Sequence, residues 1–395
     1  MYAHLTGFKP DAASPVAEIH QALRAVPAGR DGADLLGYTP VARVNPYQSM
    51  LYRSFSEQGV AVAPILRGHD FRVVGGFRAL ARSRTVHFHW LSWVLANVAD
   101  RDTASRMLNG LLARVDRFRD DGGKVVWTVH NVYPHDAVHL EEELSLQQGI
   151  ADRSDAVHVM SEATVEAMRG VLSMDSSRVV VSPHPSYVGA YPDLVSRAEA
   201  RGMLGIADDE VVFVVFGALK RYKGLLETMA AFRRLSEKGD GTRYRLVVAG
   251  MPDDDATVAG FVRECGLHPR VLIEPRRIAG ERAQIYLKAA DLGLVTYTRS
   301  LNSGAALLFL SFGLPVLASA TPTFGSLPPE HVSLLPVDEL GDPDAYASAL
   351  AAAGQAAAVT RPRQSVLQSI SHLHSETVSE QLCRDLAPRL GWRLS

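Results

Sequence analysis

The stretch Val211–Gly224, VVFVVFGALKRYKG, decides the fold. An apolar run of strand length, rich in Val and Phe, ends at Gly217. A basic loop follows (Lys220, Arg221, Lys223), and Gly224 opens into LLETMAAFRRL, where Leu225, Met229, Phe232 and Leu235 recur at helical spacing. The pattern predicts a buried parallel strand, a tight turn and a helix with cations at its mouth. A helix N-terminus offers unpaired N–H groups and a partial positive charge, so lysines beside it make a place for phosphate. The plainer reading is a strand-to-helix loop with solvated lysines. The position at a strand's carboxyl end favours the ligand, because open α/β sheets bind there. Neither GxxxxGK[ST] nor GxGxxG after a strand is present.

Working outward, short β-rich runs alternate with helical ones along most of the chain, as in βα units built on a parallel sheet. Before the decisive stretch the expected strands are VARV (41–44), VAVAPI, TVHFHW, KVVWTVHN, DAVHVMS and RVVVSPHPSY. A helix is expected over the stretch SMLYRSFSEQG and another around Ser105–Phe118. Several of these strands deliver polar residues at their carboxyl ends: His89, His130 with Asn131, Ser161 with Glu162, and His184, with Asn45 just past the first. Beyond Gly224 come YRLVVAG, VLIEP, ERAQIYLKAA, DLGLVTY, the loop TRSLNSG, AALLFLSFG and PVLAS. HPSYVGAYPDLVSR reads as a linker. The expected domains are 1–185, 186–375 and a helical tail, 376–395, packing back on the first. Residues 1–40 are hard to read beyond an amphipathic helix over Pro15–Val26.

Composition narrows the classes. A chain of 395 residues has room for two or three domains. With 47% apolar and 21% charged residues it is ordinary for a soluble globular protein, and a net charge of −2 gives no reason to expect nucleic acid. Cys265 and Cys383 fit no metal or disulfide framework. The N-terminal residues lack the order of a signal peptide, and the longest apolar run, 305–320, is broken by Gly313 and Pro315. The expected location is the cytoplasm.

FGALKRYKG, YLKAADLGLVTY and NSGAALLFLSFGLPVLAS, in that order, resemble the donor half of GT-B glycosyltransferases. NPYQSMLY, VHFHWL and WTVHNVYPHD resemble the acceptor half of bacterial members that build exopolysaccharide or glycolipid repeat units. The resemblance implies an α/β fold of two doubly wound Rossmann-like domains facing a central cleft. It also implies a nucleotide-diphosphate sugar as donor and a saccharide or lipid-linked acceptor; the latter would bring the chain into peripheral contact with the inner membrane face. Two features depart from the family. Ala218 stands where retaining members carry Arg, and Ser300 and Leu308 stand where they carry glutamates. The stereochemistry therefore stays open.

Breaking a sugar–phosphate bond leaves negative charge that must be stabilised as it forms. Lys223, with Arg221 or Lys220, can do this without metal or other cofactor. Gly217 shapes the turn, and Asn302, Ser303 and Gly304 at the next helix start can present N–H groups to the remaining oxygens, or can simply cap it. On the acceptor side His130 is the expected base in an inverting reaction, since histidine titrates nearest neutrality. His89 and His135 are reserves, and Asn45 and Asn131 line the same edge. His87 and His89 share a strand face, yet no third ligand joins them, so no metal is expected. Asp253–Asp255 reads as a turn and Trp90, Trp93 and Trp127 as packing, while Arg276 and Arg277, just past VLIEP, either frame the base or a phosphate or are simply exposed. The alternatives are a GT-B sugar-nucleotide epimerase, which turns over without acceptor, and a non-catalytic nucleotide-sugar-binding protein.

Overall fold

The computed structural model describes residues 14–27, 32–42, 44–131, 138–238, 241–297 and 304–395. The chain divides into two compact units, Met1–Pro185 with Ser375–Ser395, and Ser186–His374. The last segment thus begins one residue before the sequence boundary and belongs with the first unit.

In the first unit the helix α1 (Pro15–Ala25) precedes β1 (Ala33–Thr39), α2 (Tyr47–Leu51), β2 (Val60–Pro64), β3 (Ala81–Phe88) and α3 (Arg101–Asp120). Then follow β4 (Lys124–Thr128), α4 (Leu140–Arg153), β5 (Ala156–Val159), α5 (Glu162–Met168) and β6 (Val179–Val181). All six strands are parallel, in the order β2-β1-β3-β4-β5-β6. The winding reverses between β1 and β3, so ligand chemistry is expected at their carboxyl ends.

Two expectations fail here. Val41 and Ala42 lie outside any strand; the strand is ADLLGYT, immediately before. Its Asp34 is fully buried inside the strand, its carboxylate taken by Arg82, by the Ser83 hydroxyl (2.6 Å) and by the Arg393 N–H (3.0 Å). A buried charge is tolerated only when paired and hydrogen-bonded, and these partners are distant in sequence. The expected eleven-residue helix after Gln48 is only α2, after which Ser56–Gln58 form a 3₁₀ turn. Just before α2, the Asn45 side-chain oxygen accepts from the Tyr47 N–H at 3.0 Å.

The second unit holds α6 (Arg197–Leu204), β7 (Glu210–Phe216), α7 (Leu225–Glu237), β8 (Arg243–Ala249), α8 (Ala256–Leu267), β9 (Val271–Glu274), α9 (Gly280–Ala289) and β10 (Leu292–Val295). It continues with α10 (Gly304–Ser311), β11 (Val316–Ser319), α11 (Pro322–Gly325), β12 (Val332–Leu335), α12 (Pro343–Thr360) and α13 (Arg363–Ser369). The order β12-β11-β10-β7-β8-β9, all parallel, places the reversal between β7 and β10. β7 is buried along nearly its whole length, as its unbroken Val/Phe run requires of a central parallel strand. A buried Arg201–Asp291 ion pair (2.7 Å), unmarked in the sequence reading, joins α6 to the residue before β10.

The first unit is closed by α14 (Ser375–Leu390). Leu382, Cys383, Leu386, Leu390 and Trp392 are buried in one cluster with Leu36, Tyr52, Phe55 and Val126.

Candidate functional site

In the second unit, the chain leaves β7 at Gly217 (φ 95°) and is fastened to the exit of β8 by Leu219 N–H to Met251 O (2.8 Å) and Asp253 N–H to Leu219 O (3.0 Å). A 3₁₀ turn, Arg221–Lys223, follows, and Gly224 (φ 64°) starts α7. A Cβ on Gly224 would stand 2.2 Å from the Thr296 carbonyl oxygen, so only glycine brings α7 this close to the end of β10. The Thr228 hydroxyl donates to the Gly224 carbonyl (2.7 Å), and the Tyr346 hydroxyl donates to Thr296 Oγ1 (2.7 Å). Sequence reasoning missed Thr228, Thr296 and Tyr346, whose partners lie up to 118 positions apart.

This framework sets Lys223 at the winding reversal. Its Nζ lies 5.4 Å from the Tyr297 ring centroid, and no carboxylate among the described residues pairs with it. Burial, then the neighbouring Lys220 charge, lowers its pKa to about 8. A half-buried ammonium with no counter-charge is a poor way to stabilise a fold and a good way to receive an anion. Lys220 instead leans on Asp253 at 3.6 Å, and Arg221 is exposed.

Gly304 is the first residue of α10, with the Tyr187 hydroxyl oxygen 3.0 Å from where a Cβ would sit. Asn302 and Ser303 lie outside the described residues, as does Ser300. Leu308 is buried in the apolar core of the unit and could not reach a ligand. Asp255 caps α8, accepting from the Thr257 and Val258 N–H groups at 2.8 and 3.0 Å, which depresses its pKa. Arg276 pairs with Glu274.

In the first unit the strand ends gather histidines. His87 and His89 share one face, and Thr128 and His130 follow at the end of β4, with Thr128 level with His158 on β5. The Tyr52 hydroxyl bonds both His87 Nδ1 (2.8 Å) and His89 Nε2 (2.7 Å). His87 Nε2 meets Thr128 Oγ1 (2.7 Å), which meets His158 Nδ1 (2.9 Å), and His158 Nε2 bonds the Ser182 carbonyl (3.0 Å). His89 Nδ1 meets His130 Nε2 at 3.1 Å. Trp90 stacks on His130 with centroids 4.1 Å apart, and Tyr47 packs edge-on against it. Burial, reinforced by the neighbouring imidazoles, drives His87, His89 and His130 well below the usual histidine range, and burial lowers His158 and His184 to about 4. The cluster is neutral at pH 7.

His89 and His130 are thus brought together; Asn131 is half-buried beside them in sequence, and His135 lies outside the described residues. Asn45 is exposed. Trp127 is buried in the core, and Trp93 packs over Gly68. Glu162 opens α5, where Ser161 is the cap. Among the described residues no group of three or more His, Cys, Asp or Glu side chains is arranged to hold a metal ion.

Residues 210–355, from β7 into α12, match the family described as glycosyl transferases group 1. Over this segment the chain is similar to group 1 glycosyltransferases. It is 27% identical over 190 residues to the D-inositol 3-phosphate glycosyltransferase of Actinosynnema mirum, a match covering 46% of this chain and 44% of that protein. It is 23% identical over 286 residues to the GDP-mannose:glycolipid 4-beta-D-mannosyltransferase of Xanthomonas campestris pv. campestris, covering 71% of each. Among solved structures, sucrose-phosphate synthase from Thermosynechococcus elongatus superposes with a TM-score of 0.63 at 18% identity, over 89% of this chain and 98% of that one. Anabaena HepE in complex with UDP and glucose gives 0.64 at 14%, over 90% and 100%. The architecture is therefore GT-B, and Lys223 lies within the segment that the family matches.

Proposed function

We propose that the chain moves a sugar from a nucleoside diphosphate sugar, held by the second unit, to a hydroxyl of a saccharide or lipid-linked acceptor, held by the first. The observation that carries this is the uncompensated Lys223 ammonium at the β7/β10 reversal of the matched domain. Lys223, assisted by Lys220 or Arg221 and by the N-terminal N–H groups of α10, stabilises the diphosphate as it leaves. That one relative is named for GDP-mannose and a glycolipid, and one neighbour is bound to UDP, supports this donor and acceptor chemistry. A lipid-linked acceptor would place the chain peripherally at a membrane; no helix among the described residues is long and apolar enough to cross one.

Lys223→Ala is expected to weaken nucleoside diphosphate binding by about 2–3 kcal/mol, the scale of a charge-assisted bond. In the wild type, affinity should fall as the pH rises through about 8, because the ammonium loses its proton there; Lys223→Arg should stay flat across that range. Calorimetric titration with UDP, GDP, ADP and dTDP measures both effects. Unchanged affinity in Lys223→Ala would remove the diphosphate assignment.

Transfer is also expected to be independent of metal, since lysine and helix N–H groups take the role of a divalent cation. Asp253 is engaged by Lys220 and Asp255 by α8, so neither is waiting for an ion. Turnover measured before and after EDTA should agree. Loss on chelation, restored by manganese or magnesium, would refute metal independence.

A further inference from the structure

The second unit carries a cavity of about 90 Å³ at the end of its sheet away from Lys223. Asp291, just before β10, and Gly313–Pro315, just before β11, form part of its wall, so it lies at the amino ends of these strands. Phe312 and Leu314, both buried in the core, give it an apolar side. Four cations line it: Arg197 from α6, Lys288 from α9, and Arg361 and Arg363 from the corner between α12 and α13.

Two carboxylates share these cations. Asp291 accepts from Arg197 (2.6 Å), but also from Arg201 (2.7 Å) and the Val212 N–H (2.8 Å). Asp193 takes both Lys288 (2.7 Å) and Arg363. No carboxylate among the described residues pairs with Arg361, whose Nε reaches only the Ala358 carbonyl of its own helix, at 3.4 Å. An ammonium has three N–H groups and a guanidinium five, so each of the four cations keeps donors beyond these bonds. Two backbone features hold the corner in place. At Gly313 (φ 69°) a Cβ would collide with the Arg363 side chain, whose guanidinium donates to the Phe312 carbonyl at 2.6 Å. Arg361 closes α12 at φ 43°, a left-handed position that favours glycine, so arginine is strained there.

We propose that this cavity is a second anion site that takes a phosphate dianion, either free or as the head of a small monoester. Its charge of about −2 matches the surplus of four cations over two carboxylates, and its oxygens accept from side chains that only donate. The volume excludes a whole nucleotide, because pockets that enclose ligands of that size run to roughly 300–1,000 Å³.

Full-length Lys223→Ala protein, in which the proposed diphosphate site is disabled, is titrated with inorganic phosphate at about pH 7.5 and followed by ³¹P line broadening. One saturable site is expected. Arg361→Gly and Lys288→Gln should each weaken it about tenfold, the scale of a charge-assisted bond, and Arg361→Lys should stay within about threefold. Glycine suits the backbone at 361, and Arg363 still holds Asp193 when Lys288 is replaced, so the two variants reach the site by independent routes. Methyl phosphate is titrated in parallel, and tighter binding than inorganic phosphate would identify a monoester as the ligand. In otherwise wild-type protein, Arg361→Gly should leave UDP affinity unchanged. Broadening that never saturates would overturn the inference, as would saturable binding that both variants leave intact. So would a joint loss of phosphate and UDP affinity in Arg361→Gly, because phosphate would then be reporting the diphosphate site.

Discussion

Replacing His130 by Gln or Ala is expected to lower turnover by about 10²–10⁴ while leaving nucleoside diphosphate affinity within a fewfold of wild type. A sugar hydroxyl is a weak nucleophile, and the transition state needs its proton accepted. A half-buried imidazole whose pKa is held well below the usual histidine range is ready to accept it, and desolvation is the main cause of that shift. Burial has an opposing effect, because a low pKa makes a weaker base. Nucleotide affinity serves as the control because Lys223 and the β7 loop lie in the other unit. Turnover within a fewfold of wild type would take His130 out of the mechanism. A parallel loss of nucleotide affinity would make it a donor-binding residue instead.

Mild acid is expected to destabilise the first unit before it titrates most carboxylates. His158 is fully buried, with its pKa lowered to about 4, against about 6.5 for an unfolded histidine. Between these values the unfolded chain binds a proton that the folded chain refuses. The stability tied to His158 is therefore whole above about pH 6.5 and shrinks as the pH falls, by about 2 kcal/mol at pH 5. His87 and His89, equally buried and also held well below the usual histidine range, withdraw stability in the same direction. For a unit of this size the His158 share alone corresponds to a fall of about 4–8 °C in melting temperature between pH 7 and pH 5. The chain's four tryptophans, Trp90, Trp93, Trp127 and Trp392, all belong to the first unit, so their fluorescence reports its melting alone. A fluorescence melting temperature that does not move over this range would mean the histidines are not held neutral.

What could be read in the sequence followed from how local the signal was. The β7 run, its terminal glycine and the Lys-Gly before α7 are contiguous, and each residue type there has a local reason. The first strand was illegible for the opposite reason: Asp34 and Gly37 interrupt ADLLGYT, and the groups that neutralise Asp34 come from Arg82, Ser83 and Arg393. VARV looks more like a strand because it is β-rich and alternating, but β-propensity describes a fit to a half-buried surface that the neighbours must supply. The histidines at 87, 89 and 130 stood out, whereas Tyr52, Thr128 and His158 did not. Their bonds cross 30 to 41 positions, and only the parallel register of β3, β4 and β5 makes them neighbours.

The return of the chain to its first unit has a consequence for how the protein is made. Residues 186–374 emerge from the ribosome as one uninterrupted block and hold every strand of their own sheet. The first unit begins earlier but waits for α14 and for Trp392, whose indole N–H reaches Thr85 at 3.3 Å. Until translation passes residue 392, Leu36, Tyr52, Phe55 and Val126 lack the side chains that cover them. The unit begun first is finished last, so through most of synthesis the nascent chain exposes the apolar surface from which a chaperone's protection is needed.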